Sequence, residues 1–248
     1  MSITDRTTAT KRVPMTSLRK TALAAGVLYI LSFVSIPTLF LYKSVRGPNY
    51  ILGPGPDTAV IFGGVLEVIV ALAGIGTAVA LYPVVKRQNE GIALGFVGAR
   101  TLEGGTILVG VACLLSVVNL RQAGAGPDAV ATSQALVAFY GSIFLLGQSL
   151  IPAVNGVLIG SLLYRSRLVP RGLPLLGFLG AFLLVVAFGI SIAHPGREVS
   201  ALAALLALPI AVWEFSLGVY LTVKGFKPSS ITAGMTTEAR SAHPDPAV

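Results

Sequence analysis

Apolar residues occupy long blocks between positions 20 and 223, interrupted by short stretches rich in Gly, Pro and charged side chains. Crossing about 30 Å of hydrocarbon at about 1.5 Å per residue takes about 20 residues. The blocks at 20–42, 59–83, 92–119, 134–164, 173–193 and 201–223 therefore predict six transmembrane helices. Only the fourth is longer than a span needs, which predicts a tilt or a start outside the bilayer. Gly53-Pro54-Gly55-Pro56 and Gly124-Ala125-Gly126-Pro127 mark turns that no helix can traverse. Residues 1–18 and 227–248 lack apolar periodicity and are predicted as disordered cytoplasmic tails, which leaves 19–226 as one membrane domain.

The first block follows Arg19-Lys20, as a secretory signal would. It is longer than a signal core and no small-x-small cleavage site follows, so it is expected to remain as an anchor.

Composition sharpens this picture. Hydrophobic residues make up 54% of the 248 and charged ones 11%, against about 25% charged in soluble domains. A water-soluble fold is excluded on that basis. The net charge of +8 does not call for nucleic acid, because the cations alternate between loops. The N-terminal stretch through Lys20 carries five Lys or Arg, the 84–91 loop two, the 165–172 loop three and the C-terminal stretch three. The remaining loops hold Lys43, Arg46, Arg121 and Arg197. By the positive-inside rule both termini are cytoplasmic. Tyr82, Tyr164 and Tyr220 stand at the cytoplasmic ends of their spans as interface anchors.

Several chemistries are missing. Cys113 is the single cysteine, so an intramolecular disulfide or a CxxC site is ruled out, and it reads as a small packing residue. His194 falls at an outer helix end and His243 in the tail; no HExxH, G-x-S-x-G or P-loop pattern occurs, and no span has a central lysine. The sequence thus offers no catalytic residues, metal ligands or cofactor motif, and leans away from an enzyme.

What it does offer is charge inside the spans: Glu67 on the second, Arg100 and Glu103 on the third, Glu214 on the sixth. On the translocon scale such a residue costs about 2.5–3.5 kcal/mol at the bilayer centre, so these four are expected to face protein or a wet cavity. Arg100 and Glu214 both lie about 13 Å in from the cytoplasmic side at about 1.5 Å per residue, with Glu103 one turn deeper. Glu67 reaches a similar level from the other side. The spacing predicts an Arg100–Glu214 pair, a Glu103–Glu67 contact, and an i, i+3 pair of Arg100 with Glu103. One arginine among three carboxyls leaves up to two carboxylates unmatched, and an unmatched carboxylate in low dielectric takes up a proton. The group is a candidate site for a proton, a cation or a small polar ligand; the alternative is that the charges only fix helix packing.

The helices around these charges add detail. On the third span Gly91, Gly95, Gly98 and Gly105 share a face nearly opposite Arg100 and Glu103, which predicts protein contact on both sides. On the fourth, Gln148, Pro152 and Asn155 share a face, and Pro152 frees the Gln148 carbonyl, predicting a kink lined by two amides. Pro209 is expected to kink the sixth span before Glu214. Gly156-x3-Gly160 and the Gly63, Gly64, Ala71, Gly74 face predict close packing, within the chain or between copies. A weak repeat at an offset of 82 residues pairs Leu81-Tyr82 and 94–99 with Leu163-Tyr164 and 176–181, as a duplicated hairpin would.

Four stretches, "RKTALAAGVLYILSF" at 19–33, "ALYPVVKRQNEGIALGFVGARTLEGG" at 80–105, "SLLYRSRLVPRGLPLLGFLGA" at 161–181 and "ALPIAVWEFSLGVYLTVKGF" at 207–226, resemble the bacterial membrane family catalogued as domain of unknown function 4386. The Arg100/Glu103 stretch and Trp213-Glu214 are its distinctive parts. The resemblance implies a multi-pass protein of the bacterial inner membrane and brings no activity or cofactor with it.

Overall fold

The computed structural model describes residues 15–193 and 201–233. His194, Arg197, His243 and most of both predicted tails lie outside the described residues. Six helical segments are long and apolar enough to cross a membrane. The first comprises α1 (Ser17–Leu31), a 3₁₀ turn and the short α2 (Thr38–Leu41). Then come α3 (Asp57–Val85) and α4 (Glu90–Gln122). The long fourth segment is α5 (Val130–Phe144), a π-helical turn at Leu145–Leu150, and α6 (Ile151–Ser166). α7 (Gly172–Ala193) and α8 (Ala201–Val223) complete the set. Among the described residues there is no strand.

Local chemistry sets the helix ends. Thr16 caps α1 by accepting from the Arg19 amide at 3.3 Å, and Asn89 caps α4 from the Ile92 amide at 2.9 Å. Gly124 and Gly126 take φ of +69° and +63°, which lets the chain reverse between α4 and α5. The first span does not run as the single helix expected: it breaks at Ser32–Pro37, where Pro37 has no amide to continue the ladder. The fourth span likewise departs from a simple kink. Ile151 donates to the Leu146 carbonyl five residues back, so a π turn, with one residue more than an α turn, absorbs Pro152.

Small residues let the helices meet. A Cβ on Gly26 would stand 2.6 Å from the Thr222 backbone nitrogen, one on Gly180 2.6 Å from the Ile210 nitrogen, and one on Gly177 2.5 Å from the Trp213 ring. These contacts bind α8 to α1 and α7. Gly156 and Gly160 face Ala181 and Phe178 of α7, so that motif packs within the chain. α4 lies between α3, α5 and α6 and is the most buried span, as its charges require. Its predicted glycine face is a contact face only in part: a Cβ on Gly95 would stand 3.8 Å from Leu158 of α6. Nothing stands within 4 Å of a Cβ on Gly98 or Gly105, because α4 packs through Arg100, Gly104, Ile107 and Val111 instead. The repeat partners differ accordingly: Gly180 touches α8, whereas Gly98 is open.

Leu72, Leu102, Phe182 and Leu205 project from the bundle, so its flanks are apolar. The interior holds two main cores. One, around Tyr29, Leu81, Phe96, Leu163, Trp213 and Leu217, fills the half carrying both described chain ends. The other, around Tyr42, Val60, Leu114, Val117 and Tyr140, fills the opposite half. Each end is pinned by an arginine. Arg19 donates to the Leu221 and Thr222 carbonyls at 3.0 and 2.6 Å, capping the C-terminus of α8. Arg121 bridges to Asp57 at 2.7 Å through Nε and to the Gly53 carbonyl at 2.7 Å. Residues 227–233, placed in the tail by sequence, lie along the bundle end, where the Lys227 amide donates to Leu168 at 2.8 Å.

Replacing Gly26 with Leu is expected to separate α1 from α8 and to lower stability by about 1–3 kcal/mol or more, an overpacking cost. Gly98→Ala, on the open face, should be neutral or slightly stabilising. Thermal unfolding of the purified protein in detergent separates the two, and equal effects would contradict this packing.

Candidate functional site

The third span's charges are held by packing on both sides. Gly74 of α3 lies beneath the Arg100 side chain, where a Cβ would be 3.9 Å from Cδ. Tyr29 of α1 and Phe96 flank the guanidinium, at 5.4 and 5.8 Å from their ring centroids. Arg100 is 4% exposed, and lipid does not reach it.

Within that setting the guanidinium divides between two carboxyls. Nη1 donates to Glu103 Oε2 at 2.9 Å, one turn along α4. Nη2 pairs with Glu214 Oε1 of α8. Asn155 of α6, fully buried, donates from Nδ2 to the same Glu103 oxygen at 2.7 Å. Four predicted residues on three helices thus meet. Arg100 Nε and Asn155 Oδ1 are buried without a hydrogen-bond partner, as are the Tyr29 hydroxyl and Trp213 Nε1. The cluster holds one positive and two acidic groups, so full ionisation leaves a surplus negative charge.

Two predicted members stand elsewhere. Glu67 does not reach Glu103. α3 and α4 cross with Gly74 at the level of Arg100, which puts Glu67 seven residues, about 10 Å, towards the far end at about 1.5 Å per residue. Its Oε1 accepts from the Tyr140 hydroxyl at 3.2 Å. Gln148 does not line a pocket with Asn155. It lies in the π turn, partly exposed and without a side-chain hydrogen bond among the described residues, because the extra residue of that turn rotates it away from the Asn155 face. Gly147 beside it closes on α4 instead, with a Cβ there reaching 2.1 Å from Thr106 Oγ1.

The tyrosines of both buried groups were not anticipated. Position marks Tyr29 and Tyr140, which sit inside spans where interfacial tyrosines sit at span ends; Tyr42, at the end of the 20–42 span, carries no such signal. Tyr82 does occupy such an end, donating to Glu90 at 3.0 Å.

Six apolar spans, lipid-facing flanks and buried polar residues define a multi-pass α-helical membrane protein. The chain belongs to the family described as domain of unknown function 4386, whose model matches residues 24–225. No curated protein and no solved structure matches the chain.

Arg100→Met would leave two acidic groups without their cation, and breaking such a buried pair costs about 3–5 kcal/mol. Adding Glu214→Gln to that variant should restore part of the loss, because one uncompensated charge is then removed. A double-mutant cycle on thermal unfolding measures the coupling. Additive effects would show that the pair is not a unit.

Proposed function

We propose that the Arg100–Glu103–Asn155–Glu214 cluster is a binding site for a proton or another small polar ligand, in a protein with a transport-like or sensing role. The observation that carries this reading is the charge balance, one guanidinium held between two carboxyls. A proton or a small cation removes the surplus negative charge. Glu103 and Glu214 are the groups that would accept it, Arg100 is their shared counter-ion, and Asn155 supplies orientation. The unpartnered Arg100 Nε and Asn155 Oδ1 add a donor and an acceptor for a polar ligand. Nothing in the sequence calls for a cofactor or supplies a catalytic motif.

In proteoliposomes enclosing a pH-sensitive dye, the wild-type protein should pass protons under an imposed potential. Glu214→Gln and Glu103→Gln should lose most of that flux while remaining folded. Wild-type flux no greater than that of empty vesicles would remove the transport reading. The bridging of α4, α6 and α8 by one cluster favours a second reading, in which the charges only set helix packing. Under it, the same variants change thermal stability and nothing else.

The same reading places both termini in the cytoplasm of a bacterial cell, with the protein in the inner membrane. Arg19, Lys20, Lys86, Arg87, Arg165, Arg167, Arg171, Lys224 and Lys227 lie at the end of the bundle carrying the described chain ends, and Lys43, Arg46 and Arg121 at the other. In a Cys113→Ala background, an impermeant maleimide applied to intact cells should label Asn49→Cys and spare Lys227→Cys. The reverse pattern would invert the topology.

A further inference from the structure

Glu67 belongs to a second buried polar group with its own architecture. The residue is 3% exposed, its Oε1 takes a single hydrogen bond from Tyr140, and its Oε2 has no partner. Tyr42, 1% exposed, has a hydroxyl that is also without a partner. The two phenol rings pack edge to face, with centroids 5.8 Å apart. Each ring rests on a glycine. A Cβ on Gly63 would stand 2.4 Å from the Tyr42 ring, and one on Gly110 of α4 3.2 Å from the Tyr140 ring. Space has been cleared on two helices to hold two phenols beside one carboxyl. Gly63 precedes Glu67 by one helical turn, so the ring resting on it lies beside the carboxyl.

The group has no ion-pair partner. Among the described residues no cation lies within ion-pair distance of Glu67. Tyr42, Tyr140 and Arg46 are the titratable and charged groups that bear on it, while α4 presents the apolar Ile107 and Val111 to this part of α3. Arg46 itself is exposed, with its guanidinium over the Tyr140 ring at 5.4 Å. Beside it a cavity of about 240 Å³, lined by Arg46, Gly47, Ser133, Gln134 and Val137, opens at the end of the bundle away from the chain termini. An ionised carboxylate at the Glu67 position would keep a desolvation cost of several kcal/mol with only neutral phenols beside it to offset that cost. A proton on Oε2 removes that charge at a buried position where no ion-pair partner stands. A metal cation fits less well, since the one charged side chain that bears on Glu67 is the cation Arg46.

We propose that Glu67, between Tyr42 and Tyr140, is a proton-binding site of its own, separate from the Arg100 cluster. It stands on different residues from the function proposed above, and either can fail without the other.

Infrared spectroscopy of the full chain in lipid vesicles tests it. The wild type should show a protonated-carboxyl C=O band near neutral pH that shifts in D₂O. The band should persist in Glu103→Gln and Glu214→Gln, disappear in Glu67→Gln, and change frequency in Tyr140→Phe, which removes the bond to Oε1. Should Glu67→Gln not assemble, the Tyr140→Phe shift alone decides. Absence of the band at every pH where the protein is folded, its survival in Glu67→Gln, or an unmoved frequency in Tyr140→Phe would overturn the proposal. So would loss of the band on adding sodium chloride at constant pH, which would assign the site to a metal cation.

Discussion

One guanidinium shared between two acidic side chains governs the arrangement of this bundle. Arg100 cannot face hydrocarbon at a tolerable cost, and neither can Glu103 or Glu214. Their meeting joins α4, α6 and α8 at one level of the bundle. Association of helices in lipid has little hydrophobic drive, because the solvent is as apolar as the side chains. Polar contacts and close packing supply the specificity instead, and here the two coincide. Gly74 makes room for Arg100, while Tyr29 and Phe96 shield it.

Glycine positions carry the other half of the design. Gly26, Gly177 and Gly180 admit a neighbour's backbone or indole to distances that any side chain would forbid. Such contacts raise the number of favourable van der Waals neighbours without needing water to drive them. The π turn before Pro152 belongs to the same logic. A proline in mid-span leaves a carbonyl without its amide, and re-registering the chain by one residue accommodates it inside protein, with Gly147 closing against Thr106.

Polar residues are thereby sorted into two levels. The Arg100 cluster lies in the core of the half that holds the chain ends, and Glu67 lies in the opposite core between two phenols. The small apolar group of Ala71, Ile107 and Val111 lies between those levels. This division explains why charge counting along the chain gives one buried polar group too few: three carboxyls and one arginine read as a single set, yet only two of those carboxyls share the arginine. For a membrane family without an assigned activity, the consequence is that Glu67 and Glu214 are separate experimental questions.

The span count, the boundaries of most spans, the buried Arg100–Glu103 and Arg100–Glu214 pairs and the centrality of α4 follow from the sequence alone. Bilayer thickness dictates length, helical spacing dictates which neighbours along one helix meet, and desolvation forbids isolated charge. Which face of α4 would be packed, whether Glu67 would join Glu103, and where Gln148 would turn could not be read that way. Those outcomes depend on the relative height of α3 and α4 and on a one-residue shift at 145–150, both set by how side chains interlock between helices. Periodicity measures angle within one helix; it contains no information about the offset between two. That offset is decided by tertiary contact, and it is what parts the two buried polar groups.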